Sequence, residues 1–223
     1  MRIVVIGHGM VGHRFVEVLA RDAAAVHLDT PLDVTVLAEE HRPAYDRVQL
    51  SSYFSGKTAE DLSLVDPTFF ETSGFKLHLG KGAAEIDRAA KIVTTTGGEK
   101  IPYDKLVLAT GSYPFVPPLA GKDRQDCLVY RTIEDLELMK TAATRGKVGV
   151  VVGGGLLGLE AAKALRDLGL ETHVVEFAPR LMRYRLTTAQ AKSCAVKLPA
   201  LVWAFIWAKT PPKSLMVKPA VTA

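Results

Sequence analysis

A glycine-rich pattern that occurs twice is the feature that most constrains how this chain can fold. Residues 1–12 read MRIVVIGHGMVG, and residues 148–158 read VGVVVGGGLLG. Each copy follows a continuous apolar run, typical of a parallel strand buried on both faces, and precedes apolar residues at helical spacing. A second strand-like run then ends in an acid. The sequence therefore predicts two copies of one β-α-β design, about 145 residues apart.

Both copies fit the pattern Gly-x-Gly-x-x-Gly, in which each glycine has its own role. The first permits a tight turn, the second lets a pyrophosphate approach the backbone, and the third allows close packing of helix on strand. The phosphates then lie at a helix N-terminus, where free N–H groups and the helix dipole favour anions. One copy says little because glycine turns are common, but two copies in matching frames predict dinucleotide binding. The candidate residues are Gly7, Gly9, Gly12, Gly153, Gly155 and Gly158.

Each copy also has a candidate ribose-binding carboxylate at the end of its second strand. Glu176 lies 23 residues after Gly153, the usual spacing, and Glu39 lies 32 residues after Gly7 because 22–32 forms a surface insertion. A carboxylate that accepts both ribose hydroxyls disfavours a 2′-phosphate, so NADH is expected over NADPH at the second site. Exposed charge at a strand end is the alternative interpretation of both acids.

Other residues near these motifs have simpler interpretations. The segment LVLATGS at 106–112 predicts a buried strand that ends at Thr110 and Gly111. His8 and His13 flank that loop, where steric fit or a hydrogen bond is expected rather than catalysis. Cys127 is expected to be a small buried hydrophobe.

Composition bounds the partners and the compartment. The two cysteines form no CxxC pair, so neither a metal site nor a disulfide framework is expected. A reducing, cytoplasmic location is therefore expected. The longest apolar run, 200–208, is too short to span a membrane, and no membrane partner is predicted. Seven of the 28 basic residues and none of the 24 acids lie in 183–223, so the net charge of +4 belongs to that segment and indicates no nucleic-acid partner.

The motifs together resemble the pyridine nucleotide–disulfide oxidoreductases. VVIGHGMVGHRFVE, AEEHRPAYDRVQLSSYFSGK and KLVLATGSYPFVPP, followed by VVGGGLLGLEAAKALRDLGLETHVVEFAPRLM, are similar to the N-terminal part of the large subunit of assimilatory NAD(P)H-dependent nitrite reductases. The resemblance covers about residues 1–182. It implies an α/β, glutathione-reductase-like fold with two Rossmann-like FAD/NAD(P)-binding units, the second incomplete.

The resemblance also implies site residues. Gly7, Gly9, Gly12 and Glu39 would hold the ADP half of FAD, with Arg47 at its phosphates or ribityl chain. The strand containing Ala83 and Ala84 would lie near the adenine. Thr110 and Gly111 would lie near the flavin, with Arg131 and Glu160 as further flavin-side contacts. NADH would be held by Gly153, Gly155, Gly158 and Glu176.

The implied activity is hydride transfer from NADH to the flavin, with electrons passed on for the reduction of nitrite to ammonia in nitrogen assimilation. The flavin supplies the chemistry, so no catalytic acid or base is assigned. The full-length family also carries sirohaem and an iron–sulfur cluster, which this chain is expected not to bind, and a small subunit or a second copy as partner. A fragment of an NADH-dependent ferredoxin or rubredoxin reductase and a non-catalytic dinucleotide-binding fragment are the alternatives.

The predicted organisation is an FAD-binding domain without its C-terminal return (1–118), a linker and helix (119–146), and the start of an NAD(H)-binding domain (147–182). The last range, 183–223, contains no Asp, Glu or Gly and is predicted to be a frameshifted, unstructured tail. Shifted by one base, its codons force glycine at Trp203-Ala204 and at Trp207-Ala208 and permit GVHLGKN, which is similar to LHLGKG at 77–82. A real extension that packs on a partner or membrane surface is the alternative.

Overall fold

The computed structural model describes residues 1–25, 31–178 and 180–182, and the backbone of 204–207. The chain divides into two units. The first comprises Met1–Gln49 and Thr58–Ser112, and the second comprises Leu50–Lys57 and Tyr113–Ala223. A 3-10 helix, Arg47–Ser55, spans the point at which the chain passes from the first unit to the second.

The first unit contains a parallel sheet and a small antiparallel sheet. Its elements are β1 (Arg2–Ile6), α1 (Met10–Ala25), β2 (Asp33–Leu37), α2 (Phe69–Ser73), β3 (Lys76–His78), β4 (Ala83–Asp87), β5 (Ile92–Thr95), β6 (Lys100–Pro102) and β7 (Lys105–Leu108). The parallel sheet has the strand order β3-β2-β1-β7. The antiparallel sheet has the order β4-β5-β6, and its β5–β6 hairpin turns at Gly97 and Gly98.

The strand β1 is buried on both faces, which explains its continuous apolar sequence. Ile3 and Val5 pack with Val16 of α1 on one face. Val4 and Ile6 pack on the other face with Val93 of β5 and with Tyr103, which directly follows β6. Alternate residues of one strand therefore serve two different cores, since successive strand side chains point to opposite faces.

The second unit repeats the β-α-β arrangement. Its elements are α3 (Ile133–Ala143), β8 (Val148–Val152), α4 (Leu156–Asp167), β9 (Glu171–Glu176) and β10 (Ala204–Trp207). The strands β8 and β9 are parallel, with Val174 of β9 and Ala162 of α4 buried between sheet and helix. The predicted α/β fold with two Rossmann-like units is confirmed.

The strand β10 pairs in parallel with β9 on the side away from β8. It therefore occupies the position that β3 occupies beside β2 in the first unit. The range predicted to be an unstructured tail, 183–223, is described only at these four residues, where the backbone is a strand. The rest of that prediction lies outside the described residues.

One prediction about the loops is wrong. Cys127 is exposed rather than buried, because it lies in the turns between β7 and α3, where its thiol donates to the Gly121 carbonyl at 3.4 Å. Over the described ranges, no helix is long and apolar enough to cross a membrane. The same residues contain no cluster of His, Cys, Asp and Glu suited to a metal ion.

Candidate dinucleotide-binding sites

The first glycine loop joins β1 to α1 and has no room for side chains at two of its three glycines. Gly7 has a φ of 106°, and a Cβ there would overlap the Ala109 carbonyl oxygen at the end of β7. A Cβ on Gly12 would overlap the carbonyl oxygen of Gly7. At Gly9, by contrast, a Cβ would meet nothing within 4 Å. The middle glycine therefore faces open space, where a ligand can approach the backbone.

The second glycine loop joins β8 to α4 and reproduces this geometry. Gly153 has a φ of 117° and donates to the Val175 carbonyl at 2.8 Å, as Gly7 donates to the Leu37 carbonyl at 2.8 Å. A Cβ on Gly158 would overlap the Gly153 carbonyl oxygen, and one on Gly155 would meet nothing within 4 Å. In both loops the first glycine has a positive φ, the third has no room for a Cβ, and the middle one is open.

The helices that follow the loops lack the N-terminal groups that neutralise an ordinary helix. Neither α1 nor α4 has an acid in its first turn, and α4 begins at Gly155 without a side-chain cap. The helix α3, which follows no glycine loop, begins with a complete capping box formed by Thr132 and Asp135. Uncapped N–H groups beside an open glycine form a cradle for an anion, so the residues present fit a dinucleotide pyrophosphate.

Glu176 ends β9 with its carboxylate held at the second loop. One oxygen accepts from the Gly154 N–H at 2.5 Å, and the other accepts from the Ala178 N–H at 2.6 Å. The Gly154 carbonyl accepts from the Met182 N–H at 2.9 Å, and a Cβ on Gly154 would lie 2.5 Å from Leu181 Cδ2. The acid is therefore fixed at the loop by backbone groups, and the chain after β9 folds back over Gly154.

Glu39 lies at the equivalent end of β2, beside the segment that leads into β4. Its Cβ would be 3.6 Å from a Cβ built on Gly82, and the Lys81 N–H donates to the Ala38 carbonyl at 2.8 Å. Ala83 follows directly and is half-buried. The structure thus brings Glu39 and Ala83, two of the residues predicted for the first site, into one neighbourhood.

Arg47 forms an ion pair with Glu40, an acid for which the sequence predicts no role. The Glu40 carboxylate also accepts from the Tyr45 hydroxyl at 2.7 Å, and the Arg47 guanidinium lies 4.8 Å from the centre of the Tyr45 ring. Glu40 binds Arg47 and Tyr45, whereas Glu39 lies beside Gly82, so the two adjacent acids have different neighbours. The run Glu-Glu followed seven residues later by arginine was the only sequence signal for this cluster.

Thr110 and Gly111 follow β7 and lie next to the first loop. A Cβ on Gly7 would be 3.0 Å from the Thr110 nitrogen, and the Ala109 N–H donates to the Ile6 carbonyl at 2.8 Å. Gly111 has a φ of 69°, which explains glycine at this turn. The predicted strand is present as β7, but the prediction that it is buried is wrong, because its residues are half-buried or exposed.

Arg131 and Glu160 belong to the second unit. The Arg131 N–H donates to Asp135 at 3.0 Å as part of the α3 cap. Burial raises the pKa of Glu160 on α4. Burial, and then the charge of Glu160, raise the pKa of Tyr130 to about 12, and the Tyr130 ring stacks on Phe54 with centroids 6.4 Å apart. No role was predicted for Tyr130 or Phe54, although Phe54 lies in the segment AEEHRPAYDRVQLSSYFSGK.

Two β-α-β units, each with an open middle glycine before a helix that has no acid in its first turn, define a Rossmann-like protein of the dinucleotide-binding class. Comparison with known proteins gives the family. The family model for pyridine nucleotide-disulphide oxidoreductases matches residues 1–198, and the chain belongs to this family of oxidoreductases. The match extends beyond residue 183, where the predicted tail begins.

Similar proteins include nitrite reductase large subunits and a ferredoxin reductase. The NADH nitrite reductase large subunit of Escherichia coli K12 is 55% identical over 186 residues, which cover 83% of this chain and 22% of that protein. The NAD(P)H nitrite reductase large subunit of Klebsiella oxytoca is 50% identical over 200 residues, 89% of this chain and 20% of that protein. This chain thus spans about a fifth of the length of these relatives. A crystal structure of a ferredoxin reductase from Rhodopseudomonas palustris has a TM-score of 0.81 and 27% identity, covering 92% of this chain and 50% of that chain.

Proposed function

We propose that this chain is the FAD- and NADH-binding flavoprotein part of a nitrite reductase large subunit, working in nitrogen assimilation in the cytoplasm. The observation that carries the proposal is the pair of matched glycine loops in a chain 55% identical to the Escherichia coli large subunit. FAD would lie on the first unit and NADH on the second.

The residues that would hold FAD are those gathered at the first loop and the nearby strand ends. The backbone of the loop and the N-terminus of α1 would bind the pyrophosphate, and Glu39 would bind the ribose. Arg47, fixed by Glu40, would face the phosphates or the ribityl chain. Ala83 would lie near the adenine, and Thr110 and Gly111 near the flavin, with Arg131 and Glu160 as further contacts.

The second loop, with Gly153, Gly155 and Gly158, would hold NADH, and Glu176 would select it over NADPH. Its carboxylate is already oriented by the Gly154 and Ala178 N–H groups, so a 2′-phosphate would meet a fixed negative charge. A 2′-hydroxyl would instead donate to that carboxylate. The preference for NADH follows from this difference.

When bound, the flavin supplies hydride acceptance from NADH and release of single electrons. The protein residues bind and orient the two dinucleotides, and none is assigned as a catalytic acid or base. Reduction of nitrite itself would require the sirohaem and iron–sulfur centres and the partner subunit expected of the full-length family.

A ferredoxin- or rubredoxin-type reductase is the second candidate. It is favoured by the ferredoxin reductase structure, which superposes on 92% of this chain with a TM-score of 0.81. The two candidates share the flavin half-reaction and differ in the electron acceptor. The gene region downstream separates them, because only the first candidate requires cysteines for sirohaem and iron–sulfur ligation.

Flavin uptake and reduction test the proposal directly. The purified chain, incubated with FAD and desalted, is expected to retain a visible flavin spectrum that bleaches on anaerobic addition of NADH and bleaches more slowly with NADPH. A chain that retains no flavin, or flavin that NADH leaves oxidised while dithionite bleaches it, would contradict the proposal.

A further inference from the structure

Two buried histidines lie beside the first glycine loop. His8 stands between Gly7 and Gly9 and is 7% exposed, and His13 on α1 is 2% exposed. Their rings meet edge to face with centroids 5.3 Å apart, and each ring contacts one of the adjacent rings of Phe69 and Phe70. We call these four side chains the imidazole cluster.

Each histidine fastens a distant stretch of the first unit to the loop region. His8 Nδ1 accepts from the Ala44 N–H at 3.2 Å, and His13 Nε2 lies 3.0 Å from the Leu64 carbonyl oxygen. The Leu64 N–H in turn donates to the Ala44 carbonyl at 2.9 Å. The stretch around Ala44 leads to Arg47, so the bond from His8 links the glycine loop to a residue proposed to face the FAD phosphates.

The partners of the two rings fix their tautomers. A carbonyl can only accept, so His13 carries its proton on Nε2, whereas His8 must keep Nδ1 unprotonated to accept from Ala44. Within the described residues, the remaining nitrogens, His8 Nε2 and His13 Nδ1, have no hydrogen-bond partner. A second proton on His13 would enter at Nδ1 and leave its bond to Leu64 intact. A second proton on His8 would enter at Nδ1. The Nδ1–H would then face the Ala44 N–H, so two donors would oppose each other and the hydrogen bond would be lost.

The surroundings of His8 offer its cation no compensation. From α1 it faces His13, whose Nε2 lies 3.5 Å from Glu17, and from α2 it faces aromatic rings, while the acid of α2, Glu71, is exposed. From the stretch before the 3-10 helix it faces the Ala44 backbone, where Glu40 and Arg47 pair with each other. Burial, and then the charge of His13, lower the pKa of His8 to about 4.

We propose that His8 is a positioning residue for FAD, which as a neutral imidazole fastens the Ala44–Arg47 stretch to the glycine loop and on protonation releases that stretch and the dinucleotide. The inference rests on the proposed function in taking FAD as the ligand of this loop. It adds to the proposed FAD site a hydrogen bond, from the Ala44 N–H to His8, that is lost in acid.

The rate of FAD release tests this inference. The FAD-loaded chain is mixed with an excess of an FAD-binding trap protein, and release is followed by flavin fluorescence at pH 7.5 and pH 5.0. Release is expected to be about tenfold faster at pH 5.0. Once the Ala44–Arg47 stretch is released, the exposed His8 imidazole has its ordinary pKa and is protonated at pH 5.0, which favours the released state. His8→Asn keeps an acceptor for Ala44 but cannot be protonated, so its release rate is expected to be the same at both pH values.

Two other histidine variants serve as controls. His13→Gln retains a donor for Leu64, and His173→Gln changes a histidine of the second unit; both are expected to keep the pH dependence of the wild type. If His8→Asn keeps that dependence too, or if the wild type shows none, the proposal is wrong.

A second measurement needs neither a variant nor FAD. Amide hydrogen exchange of the wild-type chain, corrected for intrinsic rates, is expected to show about tenfold less protection of the Ala44 amide at pH 5.0 than at pH 7.5. Equal protection of Ala44 at both pH values would overturn the inference. Failure of the chain to take up FAD at pH 7.5 would overturn the proposed function alone, because Ala44 exchange still decides the role of His8.

Discussion

At the scale of single residues, the two glycine loops separate requirements of the fold from requirements of the ligand. Gly12 and Gly158 have no room for a Cβ, because the carbonyl oxygens of Gly7 and Gly153 occupy that space. Gly9 and Gly155 have open space within 4 Å. The first pair is therefore needed for the chain to fold, and the second pair is needed only if something else must approach the backbone.

Alanine at the open glycines should affect binding without affecting folding. Gly155 already has a φ of −79°, which alanine adopts freely. We expect Gly155→Ala to weaken NADH binding by about tenfold or more with FAD retention unchanged, and Gly9→Ala to do the reverse, because each Cβ would block one pyrophosphate. Equilibrium titration of each dinucleotide, with circular dichroism as the folding check, measures both.

Each of these variants is the control for the other, and Gly97→Ala in the β5–β6 turn is a third. A Cβ at Gly97 would have its nearest neighbour, Thr95 Oγ1, at 3.8 Å, so Gly97→Ala should bind both dinucleotides normally. Equal binding by all three variants would mean that the loops are not the dinucleotide sites.

Removing the charge of Glu176 should reduce the discrimination between nicotinamide dinucleotides. Glu176→Gln keeps an oxygen acceptor for the Gly154 N–H but has no negative charge to repel a 2′-phosphate. We expect the ratio of NADPH to NADH dissociation constants to fall by about tenfold, that is by about 1.4 kcal/mol. Glu171→Gln, at the other end of β9, is the matched control and should leave the ratio unchanged.

The buried His8 also makes stability depend on pH. Its pKa is about 4 in the folded chain and about 6.5 when exposed, so below pH 6.5 the unfolded chain binds the additional proton. The neutral imidazole therefore contributes its full stabilisation above pH 6.5. This stabilisation is lost as the pH falls, and at about pH 4 the free energy of unfolding is lower by about 3 kcal/mol. Urea unfolding between pH 7 and pH 4 should show this loss, and the slope should be smaller in His8→Asn.

At the scale of elements, the three longer helices that the structure describes start in two different ways. The helix α3 begins at a capping box, in which the Thr132 hydroxyl accepts from the Asp135 N–H at 3.2 Å and the Asp135 carboxylate accepts from the Thr132 N–H at 2.8 Å. The helices α1 and α4 begin at glycine loops with no acid in the first turn. The first arrangement stabilises the helix by itself, whereas the second leaves N–H groups for a ligand.

Loss of the α3 cap should therefore cost stability but not binding. Thr132→Ala removes the side-chain acceptor, and we expect the free energy of unfolding to fall by about 1 kcal/mol, measured by urea denaturation. Thr141→Ala in the same helix is the comparison, since its hydroxyl only bonds back to the Glu137 carbonyl at 2.9 Å and its loss should be close to neutral. A Thr132→Ala variant as stable as Thr141→Ala would show that the cap contributes nothing.

At the scale of the whole molecule, the two units follow one topological plan. The order β3-β2-β1 in the first sheet corresponds to β10-β9-β8 in the second. The strand β1 is flanked on its other side by β7, and the Gly7 turn packs against the end of that strand. In the part of the second unit that the structure describes, β8 has β9 as its one strand neighbour, and Val148 and Val152 are 48% and 53% exposed.

The change of composition after Met182 leads to a prediction about the gene. We expect the coding DNA for residues 183–208, read in the frame shifted by one base, to encode a peptide similar to the nitrite reductase relatives, with glycines at the two forced positions. The peptide should include a strand equivalent to LHLGKG at 77–82, in the place now held by β10. The family model also matches the first part of this region, as far as residue 198. DNA without a family-like peptide in that frame would make the segment a true extension.

The features that the sequence alone determined are local. Both β-α-β units, the Thr132 cap, the hairpin at Gly97–Gly98 and the acids that end β2 and β9 could all be predicted, because periodicity, glycine conformation and capping act over a few residues. The functional assignment of the loops followed from the same local patterns.

Only the tertiary structure decided the contacts between residues far apart in the chain. These are the Ala109 carbonyl against Gly7, Leu181 over Gly154, the Glu40–Arg47–Tyr45 cluster, the bond from Ala44 to His8, and the grouping of Leu50–Lys57 with the second unit. The prediction that Cys127 is buried was wrong for the same reason. Such contacts depend on how strands and loops pack after they have formed, and no periodicity or spacing in the sequence records which side chains then meet.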